Sequence, residues 1–469
     1  MTDYYVSSIN PSASDSNAGT DPLLPWATLD KVEAFTFGSG DRVLLERGST
    51  FSPSAGNFTP PFAWNSANPT ALLAAITVYG EGACPIIDAE ALETDVFRVT
   101  SVSDITFEML DITGGEAGIR TFTESGGIAI TACLLHDNGN EGIRFGETSQ
   151  TSRHNVTACL IYDNGINNTV SGDGISGHNE GSFNASFCTI YGHTLSGQDG
   201  VTTHETASCT VSQCTVYGNE DGFHFTNTSG TNIVERCFIT DNDASGVRAD
   251  SSTTIVRNNV IANSTTPQAG GVHACVNATG TATMEIFNNS IYIASDTNPY
   301  FGVRGGDTSL ITVKNNVFDM VDDNTFHYYI AIMASGVSGN IVECDTNCFQ
   351  DRTDPLLWIS VADDAGGSTF AEWQALTDTS SNPLDPNSVE GTVGFLGDPS
   401  LSPAGGKIPA GSDAEDLGED LTAEFTNDYS GRTRPNGAAW DAGAFEISAM
   451  TSAVHIASAR VIYDDDEED

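Results

Sequence analysis

Residues 172–178 read GDGISGH, residues 198–205 read QDGVTTHE and residues 220–225 read EDGFHF. Each stretch carries Asp-Gly, then an apolar residue, then a polar one. Working outward, the apolar position extends into a column: Phe97, Ile119, Ile143, Ile175, Val201, Phe223, Val247, Val272 and Val303, most of them preceded by Gly. A second column runs Cys133, Cys159, Cys188, Cys214, Cys237, Asn259, Asn289, Asn316 and Asn347, each two residues before an apolar one. Short alternating strands recurring every roughly 22 to 32 residues cannot bury an apolar face alone. They must stack on their neighbours, so the chain reads as an all-β solenoid.

Composition agrees. The chain has 469 residues with 47 Gly, and no long helical periodicity. A solenoid escapes the core-size limit of ordinary domains, so one long unit fits this length. No run of about 18 apolar residues predicts a membrane span. The start, Met1 to Val6, lacks the basic and apolar segments of a signal peptide. Either a leader has been removed or the protein leaves its cell by lysis or another secretion route; an extracellular or virion location is expected. The formal charge is −46, from 63 acidic and 17 basic residues, a field that repels nucleic acid and anionic membranes. Five of the ten Cys share one strand column, where a small apolar side chain is wanted, so an interior thiol ladder is expected to hand over to an Asn ladder. Cys344 and Cys348 are spaced to pair or to bind metal.

Residues 1–69 read as an N-terminal cap, with strands near Tyr4–Ser7 and Asp41–Leu45 and an amphipathic helix over Trp26–Phe35. Residues 70–350 hold the coils, 351–448 a closing segment, and 449–469 an acidic, solvated tail ending in DDDEED. The stretch YYVSSINPSASDSNAGTDPLLPWATLDKVEAF (4–35), then GDRVLLERGSTF (40–51), resembles the N-terminal signature of bacterial and phage right-handed parallel β-helix proteins. Residues 369–376, Gly397-Asp398-Pro399, Leu401 to Ala404 and Trp440 to Glu446 are similar to that family's closing segment. The resemblance implies a single-stranded right-handed parallel β-helix with an N-terminal helical cap. It also implies a protein of the class that includes polysaccharide lyases, glycosidases, C5-epimerases and tailspikes, as monomer or homotrimer.

A residue next to an inward position points outward. The outward column is therefore Arg98, Arg120, Arg144, Ser176, Thr202, His224, Arg248, His273 and Arg304. Five arginines in one line suit an extended anionic polysaccharide, since the guanidinium fork matches carboxylate or sulfate. The bland alternative is that each Arg pairs with an acidic neighbour. Ser176 and Thr202 are small and are expected to leave a notch. His178 and His204, with Glu205 beside the second, fall two residues further on, and His224 follows one coil later. Asp173, Asp199 and Asp221 lie at the other end of the same strands, where Asp-Gly is also ordinary turn chemistry.

Two reactions fit. In β-elimination Arg144 and Arg248 neutralise a uronate, His204 or His178 takes the C5 proton, and His224 is the acid partner or an orienting group. In hydrolysis two of Asp173, Asp199 and Asp221 act as acid and base. Such an acidic row also has the oxygen donors for Ca²⁺. The resembling lyases commonly use Lys or Arg as base with Ca²⁺, and the central coils here have no Lys. A non-catalytic phage spike or adhesin that recognises host glycans is the rival class. No phosphate-cradling loop, HExxH, paired CxxC or GxSxG is present.

Overall fold

Each turn of the chain lays one strand on each of three sheets before returning to the first. The computed structural model describes residues 1–52, 63–64, 73–90, 94–100, 103–122, 126–146, 153–166, 172–226, 229–263, 273–293, 300–306, 308–320, 327–332, 341–351, 357–359, 369–375, 383 and 385–447. The tail expected from 449 onward lies outside them. The first sheet has 13 strands, from Asp3–Val6 to Ile341–Asp345. The second also has 13, from Thr50–Phe51 to Val389–Gly391, and the third 12, from Ala63–Trp64 to Leu357–Ile359. Neighbouring strands pair in parallel, and the fold is a parallel β-solenoid with very little helix.

The apolar column of the third sheet stacks as Ile119, Ile143, Ile175, Val201, Phe223 and Val247, all fully buried. One coil departs from the sequence reading. Val247 faces Val276 instead of Val272, and Arg248 faces Asn277 instead of His273. His273 lies upstream, opposite Tyr300. The strand His273–Thr279 takes the register that buries Ala274, Val276 and Ala278 on one side, because a strand's faces alternate with period two.

Corners need special backbone. The turn from first to second sheet passes through one residue at positive φ in coil after coil: Ala132, Ala158, Phe187, Gln213, Arg236, Asn258, Asn288 and Asn315, between 50° and 57°. Few of these are residues that favour the left-handed region. Stacking of the strands on either side holds them there.

Just inside that corner the expected ladders are present. Cys133 Sγ lies 3.6 Å from Phe107 O, and Cys159 Sγ lies 3.6 Å from Ile130 O in the preceding coil. The Asn ladder continues from Cys237, whose N–H donates to Asn259 Oδ1 at 2.8 Å. Asn259, Asn289 and Asn316 each donate from Nδ2 to the next Asn, at 3.0, 3.0 and 3.1 Å. They also donate back to Val234, Val256 and Ile286 carbonyls at 2.8 to 2.9 Å. All ten cysteines are free thiols, and Cys344 bonds Asp385 at 3.5 Å instead of pairing with Cys348.

The expected N-terminal helix shrinks to Leu29–Glu33. Trp26 cannot join it, because its N–H and C=O bond Tyr5 and Ser7 as an extended strand would. Its ring stacks instead on Tyr4, 5.0 Å away, with Phe35 and Phe37 beside them. Five helical residues and an aromatic cluster, not a full helical cap, occupy this end. Residues 391–447 fold back along the second sheet, clamped by buried Arg434, which bonds Glu446 at 2.7 Å and Asn258 at 3.0 Å.

Candidate active site

The third sheet carries the polar constellation. Its strands Ile143–Phe145, Ile175–Gly177, Val201–Thr203, Asp221–Phe225 and Ser245–Asp250 stack in sequence. Arg144, Ser176, Thr202, His224 and Arg248 therefore form one outward line, with Arg120 before it. Arg304 lies beyond Asn277. The stacking brings nearly every sequence-predicted residue to one face.

The line is less basic than its composition suggests. Arg144 Nη1 binds Glu141 at 2.9 Å, and Arg248 binds Asp250 at 2.9 Å with Asp221 at 3.5 Å. Arg120 lies 3.7 Å from both Asp95 and Glu116. The pairing alternative thus holds for these three. Ser176 and Thr202 form no open notch, being fully buried and joined to each other and to their neighbours.

Behind the line stand Asp173, Asp199 and Asp221, all buried, the first two held by backbone N–H groups. Asp173 Oδ1 accepts the Asp199 N–H, and Asp199 Oδ1 accepts the Asp221 N–H, both at 3.0 Å. Burial pushes Asp173 up to about 8, and the Asp199 charge adds to it. Burial and Asp199 push Asp221 up to about 7. Asp173 is therefore mostly protonated at neutral pH, and Asp221 titrates around it.

The histidines divide. His178 and His204 stack with centroids 4.5 Å apart. Burial, then the Arg144 charge, drives His178 down to about 3. Burial also lowers His204, against the pull of Glu205. His224 goes the other way. Burial opposes its charge, yet hydrogen bonds to Asp199 and Asp250, both 3.0 Å, raise it to about 10. Two neutral imidazoles thus sit beside one imidazolium.

Asp199, Asp221 and His224 offer ligand atoms within 4.8 Å of one another, which is the set an expected Ca²⁺ would use. The chemistry of these donors does not fit the ion. Both His224 nitrogens already lie 3.0 Å from carboxylates, Asp199 and Asp250, and the Arg248 guanidinium lies 3.5 Å from Asp221.

Sequence reasoning missed Glu141 and Asp250. Glu141 precedes Gly142 as each Asp precedes its Gly, so the signal was present in another residue type. Asp250 lies two residues after Arg248 on the same outward face, and it binds His224, Arg248 and Thr279 together.

Residues 199–359 match a family model described as right handed beta helix region. Over 69 residues the chain is 45% identical to a lacto-N-biosidase of Bifidobacterium longum subsp. longum, covering 13% of this chain but only 4% of that enzyme. The crystal structure of pectate lyase Pel9A aligns over 95% of this chain and 96% of its own, with TM-score 0.52 and 16% identity. XylC in complex with xylose aligns over 95% and 99%, with TM-score 0.53 and 10% identity. These structural likenesses carry the fold alone: a right-handed parallel β-solenoid.

Proposed function

We propose that this protein cleaves a uronate-containing polysaccharide by β-elimination on the outward face of the third sheet. The observation that supports the reading is the divided histidines, because environments that push neighbouring pKa values apart mark acid and base roles. His204 is the base. The Thr226 hydroxyl lies 3.0 Å from its Nδ1, leaving Nε2 as the ring atom available to a substrate C5 proton. Arg144, a quarter exposed and next to the His178 coil, neutralises the uronate carboxylate and so acidifies that proton. His224 has both nitrogens committed to carboxylates. It acts as a fixed positive charge for the developing enolate, not as a shuttle.

The names of the relatives, a pectate lyase and a lacto-N-biosidase, fit a carbohydrate-active role. The raised Asp173 and Asp221 favour a second reading, hydrolysis by carboxyls two coils apart, at the roughly 10 Å that approaches the wider spacing of inverting enzymes. Incubation with alginate, pectin, ulvan and carrageenan separates the two. Elimination yields one ultraviolet-absorbing unsaturated uronate per cut, whereas hydrolysis yields reducing ends without that absorbance. No product from any of these glycans rules out both.

A further inference from the structure

Elimination also requires a proton for the oxygen that leaves. A chain of hydrogen bonds runs from buried Asp173 to His178. Thr202 Oγ1 lies 2.9 Å from Asp173 Oδ2 and 2.9 Å from Ser176 Oγ, and Ser176 Oγ lies 2.9 Å from His178 Nε2. Thr202 has one hydroxyl hydrogen for two neighbours, so the chain has a direction. Asp173 Oδ1 is already an acceptor for the Asp199 N–H, so a protonated Asp173 carries its proton on Oδ2, toward Thr202. Thr202 then donates to Ser176, and Ser176 to Nε2. An imidazole that accepts at Nε2 carries its hydrogen on Nδ1. Nδ1 lies 3.7 Å from Glu205 Oε2, a carboxylate that favours a donor there, so both ends agree on the direction.

We propose that Asp173, Thr202 and Ser176 form a proton relay ending on His178, which makes His178 the donor to the leaving glycosidic oxygen and His204 the sole base. The inference rests on the elimination reading. In the step, His204 takes the C5 proton, the C4–O bond breaks as the C4–C5 double bond forms, and the His178 Nδ1 proton passes to the departing oxygen. His178 Nε2 takes the Ser176 proton, Ser176 that of Thr202, and Thr202 that of Asp173, which ends as a carboxylate. Solvent then takes the proton from His204 and returns one at His178 Nδ1, and the relay runs in reverse to Asp173, closing the cycle.

The surrounding charges suit this resting state. Asp199 and Glu141 disfavour a carboxylate at Asp173. Around His178, Arg144, His204 and Arg120 disfavour a cation, and Glu205 faces Nδ1. Both ends of the relay therefore rest neutral.

Nitrogen-15 NMR of labelled histidine reads the relay without any substrate. At pH 7 His178 is expected as the Nδ1–H tautomer. Thr202→Val should move it toward Nε2–H, and Thr202→Ser should restore it. Asp173→Asn keeps a donor toward Thr202, so the tautomer should stay while kcat falls about 100-fold. An Nε2–H tautomer in the unmodified protein overturns the relay, as does a Thr202→Val variant with unchanged tautomer and pH–rate profile. Unsaturated product formed at full rate by Asp173→Asn removes the relay and leaves elimination standing. A tautomer that follows Thr202 in a protein that yields no unsaturated product keeps the hydrogen-bond chain and removes elimination.

Discussion

Two polar columns run through this solenoid, the Asn259–Asn289–Asn316–Asn347 ladder and the Asp173–Asp199–Asp221 row. Both repeat a side chain at the same place in successive coils, and both are buried. The Asn ladder satisfies itself, because an amide both donates and accepts, so each member passes a hydrogen bond to the next. A carboxylate only accepts. The Asp row must hold protons or borrow cations, and it does both: Asp173 and Asp221 are pushed toward the neutral form, and Asp199 recruits His224. Repetition of a neutral donor-acceptor builds a scaffold, whereas repetition of an acid builds a site at a cost in stability.

The comparison can be broken at the chemistry first. His204→Ala should lower turnover by about 100-fold or more with little change in melting temperature, measured on whichever glycan yields product. In the ladder, Asn289→Leu should leave turnover alone. It removes the acceptor of the Asn259 backbone and side-chain N–H groups and one of the donors to Asn316 Oδ1, and should cost about 2 to 4 kcal/mol in urea unfolding. Asp173→Asn should reverse that sign at high pH. The folded carboxyl is raised from 3.8 to about 8, so its stabilisation is complete below the unfolded value and is lost as pH rises through the folded one. The variant should match the parent near pH 4 and exceed it increasingly toward pH 8, by melting temperature. The smallest effect belongs to the thiol ladder: Cys188→Ala should cost about 1 kcal/mol, because its sulfur makes only weak contacts to Val156 and Ser186 carbonyls.

Much of this was legible as periodicity. Ile119 through Val247, and Cys133 through Asn347, could be placed side by side from spacing alone, since burial forces one register per strand. The misplaced coil at Val276 shows the limit: where a strand offers two small apolar alternatives, only packing decides between them. The ladder Asn138–Asn164–His193–Asn219–Asn242 escaped notice because His193 interrupts the residue type, although its Nδ1 bonds Asn219 at 2.8 Å just as an amide would. The site was legible as a cluster but not in its electrostatics. Which histidine is neutral follows from burial and from partners such as Asp250, none of which a spacing reveals.

The division among the three histidines is the most direct point of attack, and an NMR titration of their rings measures it. His224 should keep its proton until about pH 10, while His178 and His204 stay neutral at pH 7. Three rings titrating together near the ordinary imidazole value of about 6.5 would contradict the account.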